Sequence, residues 1–204
     1  MLNKRIPYHA IVMSRASAEP PLPAPELLEG YAFKMYEAGD EEAWAAVEAS
    51  VHEFSNAQEA LRYFKTIFAP YQTLLKQRMV FVVDAKNNYV ATATAWVGKD
   101  ENIGVFPQLH WVSVHPEHQR LGLGRAVVVK AMSIFESIGP SGDVWLTTQT
   151  WSHHAVSLYV DLGFCIRKKS TINKHSNDFV PACGVLQSVL APHVYDQLMM
   201  RALE

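Results

Sequence analysis

One stretch in the middle of the chain, residues 109–138, combines an apolar strand, a turn with two glycines and a long apolar helix. Residues 109–114 are mostly apolar and β-branched, as interior strands are, and Pro116 ends the run because proline has no N–H to donate. From Arg125 onward the apolar residues recur with the period of a helix. The sequence therefore predicts a strand, a tight turn and a buried helix in direct succession.

The turn has the composition of a phosphate-binding site. Gly122 and Gly124 remove Cβ atoms where the first N–H groups of the helix have no partner. An anion can approach those groups closely, at the positive end of the helix dipole. Gln119, Arg120 and Arg125 add polar and cationic side chains at the same point. We expect the turn to hold a phosphate group.

Two widespread phosphate-binding motifs fit this turn poorly. A Walker A loop needs Lys and then Ser or Thr after its last glycine, whereas Arg125-Ala126 stands here. A Rossmann fingerprint needs a third small residue where Val127 stands, and it usually opens a chain. Both mismatches disfavour an enzyme that uses ATP or NAD at this turn.

Two motifs carry a family resemblance. Val114-His115-Pro116 followed by Gln119-Arg120-Leu121-Gly122-Leu123-Gly124 resembles the V-x-P and Q/R-x-x-G-x-G/A motif that binds the acyl-CoA pyrophosphate in the GNAT superfamily of N-acetyltransferases. Residues 150–164 resemble the second GNAT signature, N-x-x-A-x-x-L-Y-x-x-x-G-F, except that Ser152 stands where the family usually has Asn. The resemblance covers residues 31–189.

Hydrophobic periodicity and turn residues predict the other elements. Residues 98–107 are expected to form a loop, and Ile11-Val12-Met13 is at most a short edge strand. Further strands are expected at residues 31–36, 79–84, 89–97, 144–149, 164–169 and 185–189, with a break at Gly139-Pro140 and helices that begin near Asp40, Ser55, Ser152 and Pro192.

This order of elements agrees with the GNAT topology. The resemblance implies an α/β fold with a mixed, mostly antiparallel sheet of about seven strands, splayed between the strands at 109–114 and 144–149 and flanked by helices. We expect a proline-rich arm at residues 1–29, a GNAT domain at 30–190 and an amphipathic helix at 191–204. The apolar stripe of that last helix would cover its own domain or pair in a homodimer.

Transfer of an acyl group from a thioester to an amine needs a neutral amine, an N–H donor for the charged oxygen and a proton donor for the departing thiolate. The resemblance implies that backbone at Val114 supplies the N–H and that Tyr159 donates the proton. Tyr159 shares its helix face with Ala155 and Leu162, so a packing role is the alternative.

The general base that would deprotonate the amine is predicted to lie on the strand before the turn. His110 shares a strand face with Val112 and Val114, some GNAT members place a Glu or His there, and an imidazole pKa near ~6.5 suits proton removal around neutrality. A structural role beside Trp111 is the other interpretation, and Glu53 or water are the alternative bases.

The resemblance also implies the cofactor-binding residues. They line the strand and the turn, with two more at the second motif. The set is Val112, Ser113, Val114, Gln119, Arg120, Leu121, Gly122, Leu123, Gly124, Arg125, Ser152 and Tyr159.

Composition narrows the class of protein. A net charge of -2 over 204 residues argues against a nucleic-acid binder that works by neutralising phosphates. Cys165 and Cys183 do not make a disulfide scaffold, no apolar run has membrane-spanning length, and a cytoplasmic protein is expected. The pairs His115/His118 and His153/His154 have no cysteine at zinc spacing, so no metal site is expected.

These observations favour an acyl-CoA-dependent N-acyltransferase, with acetyl-CoA as the expected donor. It would act on the primary amine of a small molecule or peptide by direct attack in a ternary complex. The alternative is a non-catalytic acyl-CoA-binding module of the same fold, and the identity of the amine stays open.

Overall fold

The computed structural model describes residues 2–138, 141–172 and 174–204, so the break predicted at Gly139-Pro140 lies outside the described residues. The strands that it describes form one mixed, mostly antiparallel sheet flanked by helices, in the order β2-β3-β4-β5-β6-β1-β7. They are β1 (Ala10–Arg15), β2 (Tyr31–Met35), β3 (Met79–Asp84), β4 (Tyr89–Asp100), β5 (Gly104–Val114), β6 (Val144–Gln149) and β7 (Cys165–Ile166).

Helices connect the strands. In chain order they are α1 (Glu41–Ser50), α2 (Ala57–Ile67), α3 (Gln72–Arg78), α4 (Leu123–Ile138), α5 (His153–Asp161), α6 (Phe179–Val189) and α7 (Pro192–Met200). The chain divides into two compact units: the first holds Leu22–Trp96 and Leu109–Gly139, and the second holds Leu2–Pro21, Val97–Gln108 and Pro140–Glu204.

The first unit is built on the antiparallel ladder β2-β3-β4. Helix α4 packs on β3, and the core beside α1 and α2 contains the fully buried rings of Trp44, Phe64 and Phe68. Helix α2, expected to begin near Ser55, is capped by Asn56, whose Oδ1 accepts from the backbone N–H of Glu59 at 2.9 Å. The backbone N–H of Ser55 donates to the Glu59 carboxylate at 2.9 Å, so Ser55 precedes the cap.

In the second unit β1 is an interior strand, which corrects the prediction of an edge strand within an irregular arm. It pairs antiparallel with β6, from Ala10–Gln149 to Arg15–Val144, and with β7 on its other side. All six of its residues are buried. A strand that is covered on both faces shows no alternation of apolar and polar residues, so the periodicity carried no signal.

The predicted loop at residues 98–107 is mostly strand, because β4 continues to Asp100 and β5 begins at Gly104. Gly98 allows this hairpin, since a Cβ at that position would overlap the ring of Phe106. Strands β5 and β6 run parallel and pair at Gln108 and Trp145. The splaying of these two strands toward their ends stays a prediction.

The prediction of a strand at residues 185–189 is wrong, since these residues end helix α6. Its buried residues Ala182, Cys183 and Leu186 recur at helical spacing. The strand predicted at 164–169 is reduced to the two residues of β7. Helix α7 begins at Pro192 as expected, and its buried Val194 and Leu198 show that part of its apolar stripe is covered within the chain.

Candidate functional site

Strand β5 leads into the predicted phosphate-binding turn and carries an irregularity three residues before its end. Trp111 has a φ of 49°, a left-handed value that bulky residues rarely adopt. Such a residue interrupts the simple alternation of a strand, as β-bulges do. Strand alternation therefore does not fix the face on which His110 lies relative to Val112 and Val114. Backbone strain of this kind concentrates at functional sites.

The turn itself has the backbone of an anion-binding loop. Arg120 and Gly122 have φ values of 65° and 75°, and α4 begins at Leu123. Alternating right- and left-handed residues turn neighbouring N–H groups toward one side, where an anion can bind. Apart from its two chain neighbours, no residue in the described part of the chain has an atom within 4 Å of the position that a Gly122 Cβ would occupy, so a ligand can approach the backbone there.

Side chains around the turn match a ligand with negative charge. Arg120 and Arg125 are exposed beside the first turn of α4, and Leu121 is partly exposed between them. The residues present therefore fit the pyrophosphate of CoA, which is the group that the sequence motif implies. Gln119 contributes in another way as well, because its Nε2 donates to the carbonyl oxygen of Val114 at 3.0 Å.

The residues next to the turn are also held in place. The backbone N–H of His115 donates to the carbonyl of Val90 at 2.8 Å, which fixes the exit from β5 on β4. Tyr31 Oη and His118 Nδ1 are hydrogen-bonded at 2.9 Å. These histidines support the turn, and across the described residues no three His, Cys, Asp or Glu side chains gather as metal ligands.

Four aromatic side chains from α1, α2, the segment between them and β5 pack together. We call Trp44, Phe54, Tyr63 and Trp111 the aromatic cluster. Its ring centroids are 5.1 to 6.3 Å apart. Trp44 is fully buried, whereas the other three are partly exposed. The cluster therefore has a buried end and an end that reaches the surface.

His110 borders this cluster. Its ring centroid lies 5.5 Å from that of Trp111 and 6.1 Å from that of Phe68, and the residue is partly exposed. The candidate base thus stands among aromatic rings on β5. Glu53, the alternative base, is exposed in the segment between α1 and α2.

Glu48 is a site residue that the sequence interpretation missed. Its side chain on α1 is fully buried, and its Oε2 accepts from the Ser113 hydroxyl on β5 at 2.7 Å. Burial raises the pKa of the Glu48 carboxyl to about 8, the Ser113 hydrogen bond opposes this, and the charge of Glu53 adds to it. The sequence did contain a signal, because Glu48 follows Trp44 by four residues and so lies on the apolar face of the helix.

The second unit carries the other predicted residues. Tyr159 lies on the second turn of α5, is 6% exposed, and its ring centroid is 5.7 Å from that of Phe164. Helix α5 begins directly after Ser152, as expected, but the Ser152 side chain makes no capping hydrogen bond. Burial lowers the pKa of the neighbouring His153.

The predicted set thus falls into two groups. His110 and the strand and turn residues between Val112 and Arg125 lie in the first unit, which also holds Glu48, a residue outside the predicted set. Ser152 and Tyr159 lie in the second unit.

Within the described ranges no helix has the length and apolarity needed to cross a membrane.

Residues 30–164 match the family model described as Acetyltransferase (GNAT) family. A curated relative, mycothiol acetyltransferase of Thermobispora bispora, is 34% identical over 152 residues, which are 71% of this chain and 50% of that protein. The chain therefore spans about half the length of the curated relative it matches.

Solved structures show the same fold. A GCN5-related N-acetyltransferase from Sphaerobacter thermophilus superposes with a TM-score of 0.58 at 22% identity, over 78% of this chain and 48% of that one. An acetyltransferase of the GNAT family from Colwellia psychrerythraea gives a TM-score of 0.56 at 12% identity, over 78% of this chain and 53% of that one.

Proposed function

The chain belongs to the acetyltransferase (GNAT) family, and we propose that it transfers an acetyl group from acetyl-CoA to a primary amine by direct attack in a ternary complex. The observation that carries this proposal is the turn before α4, where Arg120 and Gly122 have positive φ and the backbone is open to a ligand. Acetyl-CoA would supply the activated acyl group as a thioester. A small molecule or peptide would supply the amine.

The strand and turn would hold the cofactor. The N–H groups at the start of α4 would donate hydrogen bonds to the pyrophosphate, and the guanidinium groups of Arg120 and Arg125 would balance its negative charge. The Gln119 amide keeps the turn attached to the end of β5 through Val114. Backbone at Val112, Ser113 and Val114 would orient the pantetheine arm, and an N–H at Val114 would donate to the carbonyl oxygen as it gains charge.

Two side chains would move protons. His110 would take a proton from the amine, since imidazole is a common general base and the His110 ring stands on β5 beside Phe68 and Trp111. Tyr159 would give a proton to the departing sulfur. Ser152 would contact the cofactor with a shorter reach than the usual asparagine. The roles of Tyr159 and Ser152 are supported by the match of residues 150–164 to the second GNAT signature.

The test is turnover with a panel of primary amines and acetyl-CoA, followed by detection of free CoA thiol. Gly124→Glu places a bulky carboxylate in the turn, and calorimetry should then find no CoA binding and no turnover. Gly184→Glu is the matched control, because Gly184 is exposed on α6 with open space around it.

Two results would count against the proposal. Unchanged CoA affinity in Gly124→Glu would remove the turn from the binding site. Tight CoA binding without turnover of any amine would favour the alternative, a non-catalytic acyl-CoA-binding module.

A further inference from the structure

Two buried polar atoms on α1 have no hydrogen-bond partner among the described residues. They are Oε1 of Glu48 and Nε1 of Trp44. Both side chains are fully buried, and they are neighbours on one helix face because they are four residues apart. Native proteins satisfy almost all buried polar groups with protein, water or ligand. Oε1 of Glu48 is a buried acceptor without a partner among the described residues, and it indicates a place where a ligand that donates a hydrogen bond completes the bonding.

The open carboxyl oxygen lies beside aromatic rings. Trp44 belongs to the aromatic cluster, and burial together with the charge of Glu48 raises the pKa of the Tyr63 phenol in that cluster. Ser113 holds the other carboxyl oxygen, so the group has a fixed direction. A carboxylate beside aromatic faces is the combination that binds an ammonium ion, through a charge-assisted hydrogen bond and through cation–π attraction.

The charges around the carboxyl select against anions. Glu53 lies close enough for its charge to raise the pKa of Glu48. Tyr63 from α2 and Ser113 from β5 are the neutral groups that face it, and His110 borders the cluster from β5. A ligand with a carboxylate next to its amine would bring that negative charge close to Glu48 and Glu53.

We propose that Glu48 and the aromatic cluster form the acceptor site, and that the acceptor is a cationic amine on an apolar or aromatic chain without a carboxylate beside the nitrogen. This inference rests on the proposed function and deepens it. The ammonium would donate to Oε1 of Glu48, and the apolar chain would lie against Phe54, Tyr63 and Trp111. Their partly exposed rings provide the entrance.

Three matched probes test the site in the presence of saturating CoA. They are 2-phenylethylamine, the neutral 2-phenylethanol, and phenylalanine, which adds a carboxylate beside the amine. Trp44 and Trp111 make intrinsic fluorescence a direct readout of binding. We expect the amine to bind roughly tenfold or more tightly than either analogue. Equal affinity of the amine and the alcohol would overturn the proposal.

A variant pair assigns that preference to the buried carboxyl. Glu48→Gln keeps the shape and an oxygen acceptor for Ser113 but removes the negative charge, so it should bind the amine and the alcohol equally. Glu42→Gln removes a carboxylate from the exposed side of the same helix and should keep the preference. A preference for the amine that survives Glu48→Gln would also overturn the proposal.

A measurement on the unaltered protein covers the case in which Glu48→Gln does not fold. Below pH 8 the Glu48 carboxyl is mostly protonated, and pairing with an ammonium ion requires its ionised form. Calorimetry at pH 7 in buffers of different ionisation enthalpy should therefore find about one proton released with 2-phenylethylamine and none with 2-phenylethanol. Equal proton release with both probes would contradict the site.

The two proposals fail in different ways. Selective amine binding that depends on Glu48, without thiol release, would refute acetyl transfer and leave the amine site intact. Turnover of amines with a selectivity that Glu48→Gln leaves unchanged would refute the site and leave acetyl transfer intact.

Discussion

The side-chain Nε2 of Gln119 donates a hydrogen bond of 3.0 Å to the carbonyl oxygen of Val114, which joins the phosphate-binding turn to the last residue of β5. The motif alone suggests that this glutamine contacts the cofactor directly. The bond adds a second role, since it sets the distance between the backbone that would face the thioester and the N–H groups that would face the pyrophosphate.

Gln119→Ala should weaken both folding and CoA binding. Loss of the bond should lower the free energy of unfolding by about 1 kcal/mol and weaken CoA affinity by about tenfold, because the turn loses its attachment. Urea unfolding and calorimetry measure the two effects. Gln187→Ala on the exposed side of α6 is the control and should change neither. A Gln119→Ala protein with full CoA affinity would show that the turn holds its shape unaided.

Gly122→Ala and Gly184→Ala should shift stability in opposite directions. Gly122 has a φ of 75°, where a Cβ costs about 1–2 kcal/mol, so its replacement should destabilise the protein. Gly184 lies within α6 with open space around it, and alanine there should stabilise by about 0.5–1 kcal/mol. Thermal unfolding of both variants gives the signs. Equal effects would mean that the turn adopts another backbone in solution.

Tyr159→Phe should separate a proton donor from a packing residue. The change keeps the ring beside Phe164 and removes only the hydroxyl, so stability and CoA affinity should stay close to those of the unaltered protein. Turnover should fall by roughly 10²–10⁴-fold, the range for a positioned general acid. Steady-state kinetics measures this, with Tyr195→Phe on α7 as the control. Turnover within a few-fold of the original would assign Tyr159 to packing.

Asp40 should stabilise the first unit at neutral pH and lose this effect in acid. Burial alone would raise the pKa of its carboxyl, but hydrogen bonds from Tyr89, the Glu37 N–H and Lys34 outweigh burial and hold the pKa below its ordinary range. A lowered pKa in the folded state means that stability is present above about pH 4 and is lost as the pH falls below it.

Asp40→Asn should therefore lower the free energy of unfolding by about 1–3 kcal/mol at pH 7, because the Lys34 ammonium keeps a neutral partner in place of a carboxylate. Urea midpoints at pH 7 and pH 3 should show the difference shrinking in acid. Asp196→Asn, on the exposed side of α7, should show no such difference at either pH. A constant difference across this range would refute the assignment to Asp40.

The sequence predicted the elements whose pattern is local. The strand, turn and helix around Gly122 are present, and the hairpin of β3 and β4 follows its turn residues. The predictions failed where residues far away in the sequence determine the burial and pairing of a segment. Residues 10–15 show no alternation of apolar and polar side chains because neighbouring residues cover both faces of the strand. Residues 185–189 are a short apolar segment that fits a strand and a helix equally, and they are helical because they continue α6 from Phe179.

The residues of the candidate site likewise include some that local motifs predict and others that only the folded structure reveals. Motifs predicted the turn residues, since a phosphate needs open backbone N–H groups in consecutive positions. They did not reveal Glu48, because no motif includes it and a glutamate on a helix is normally solvated, whereas this one is buried and bonded to Ser113 of β5. The left-handed backbone of Trp111 was equally invisible, since no residue preference predicts it.

The pairing of β1 has a consequence for how the second unit forms during synthesis. Arg15 is translated roughly 130 residues before its partner Val144, and the β7 residues Cys165 and Ile166 come later still. Until Ile166 has been translated, the nascent chain therefore carries the six residues of β1 without all of their strand partners. A chaperone-depleted translation system should accumulate aggregates of chains that end before Val144, and chains that extend past Ile166 should escape this fate.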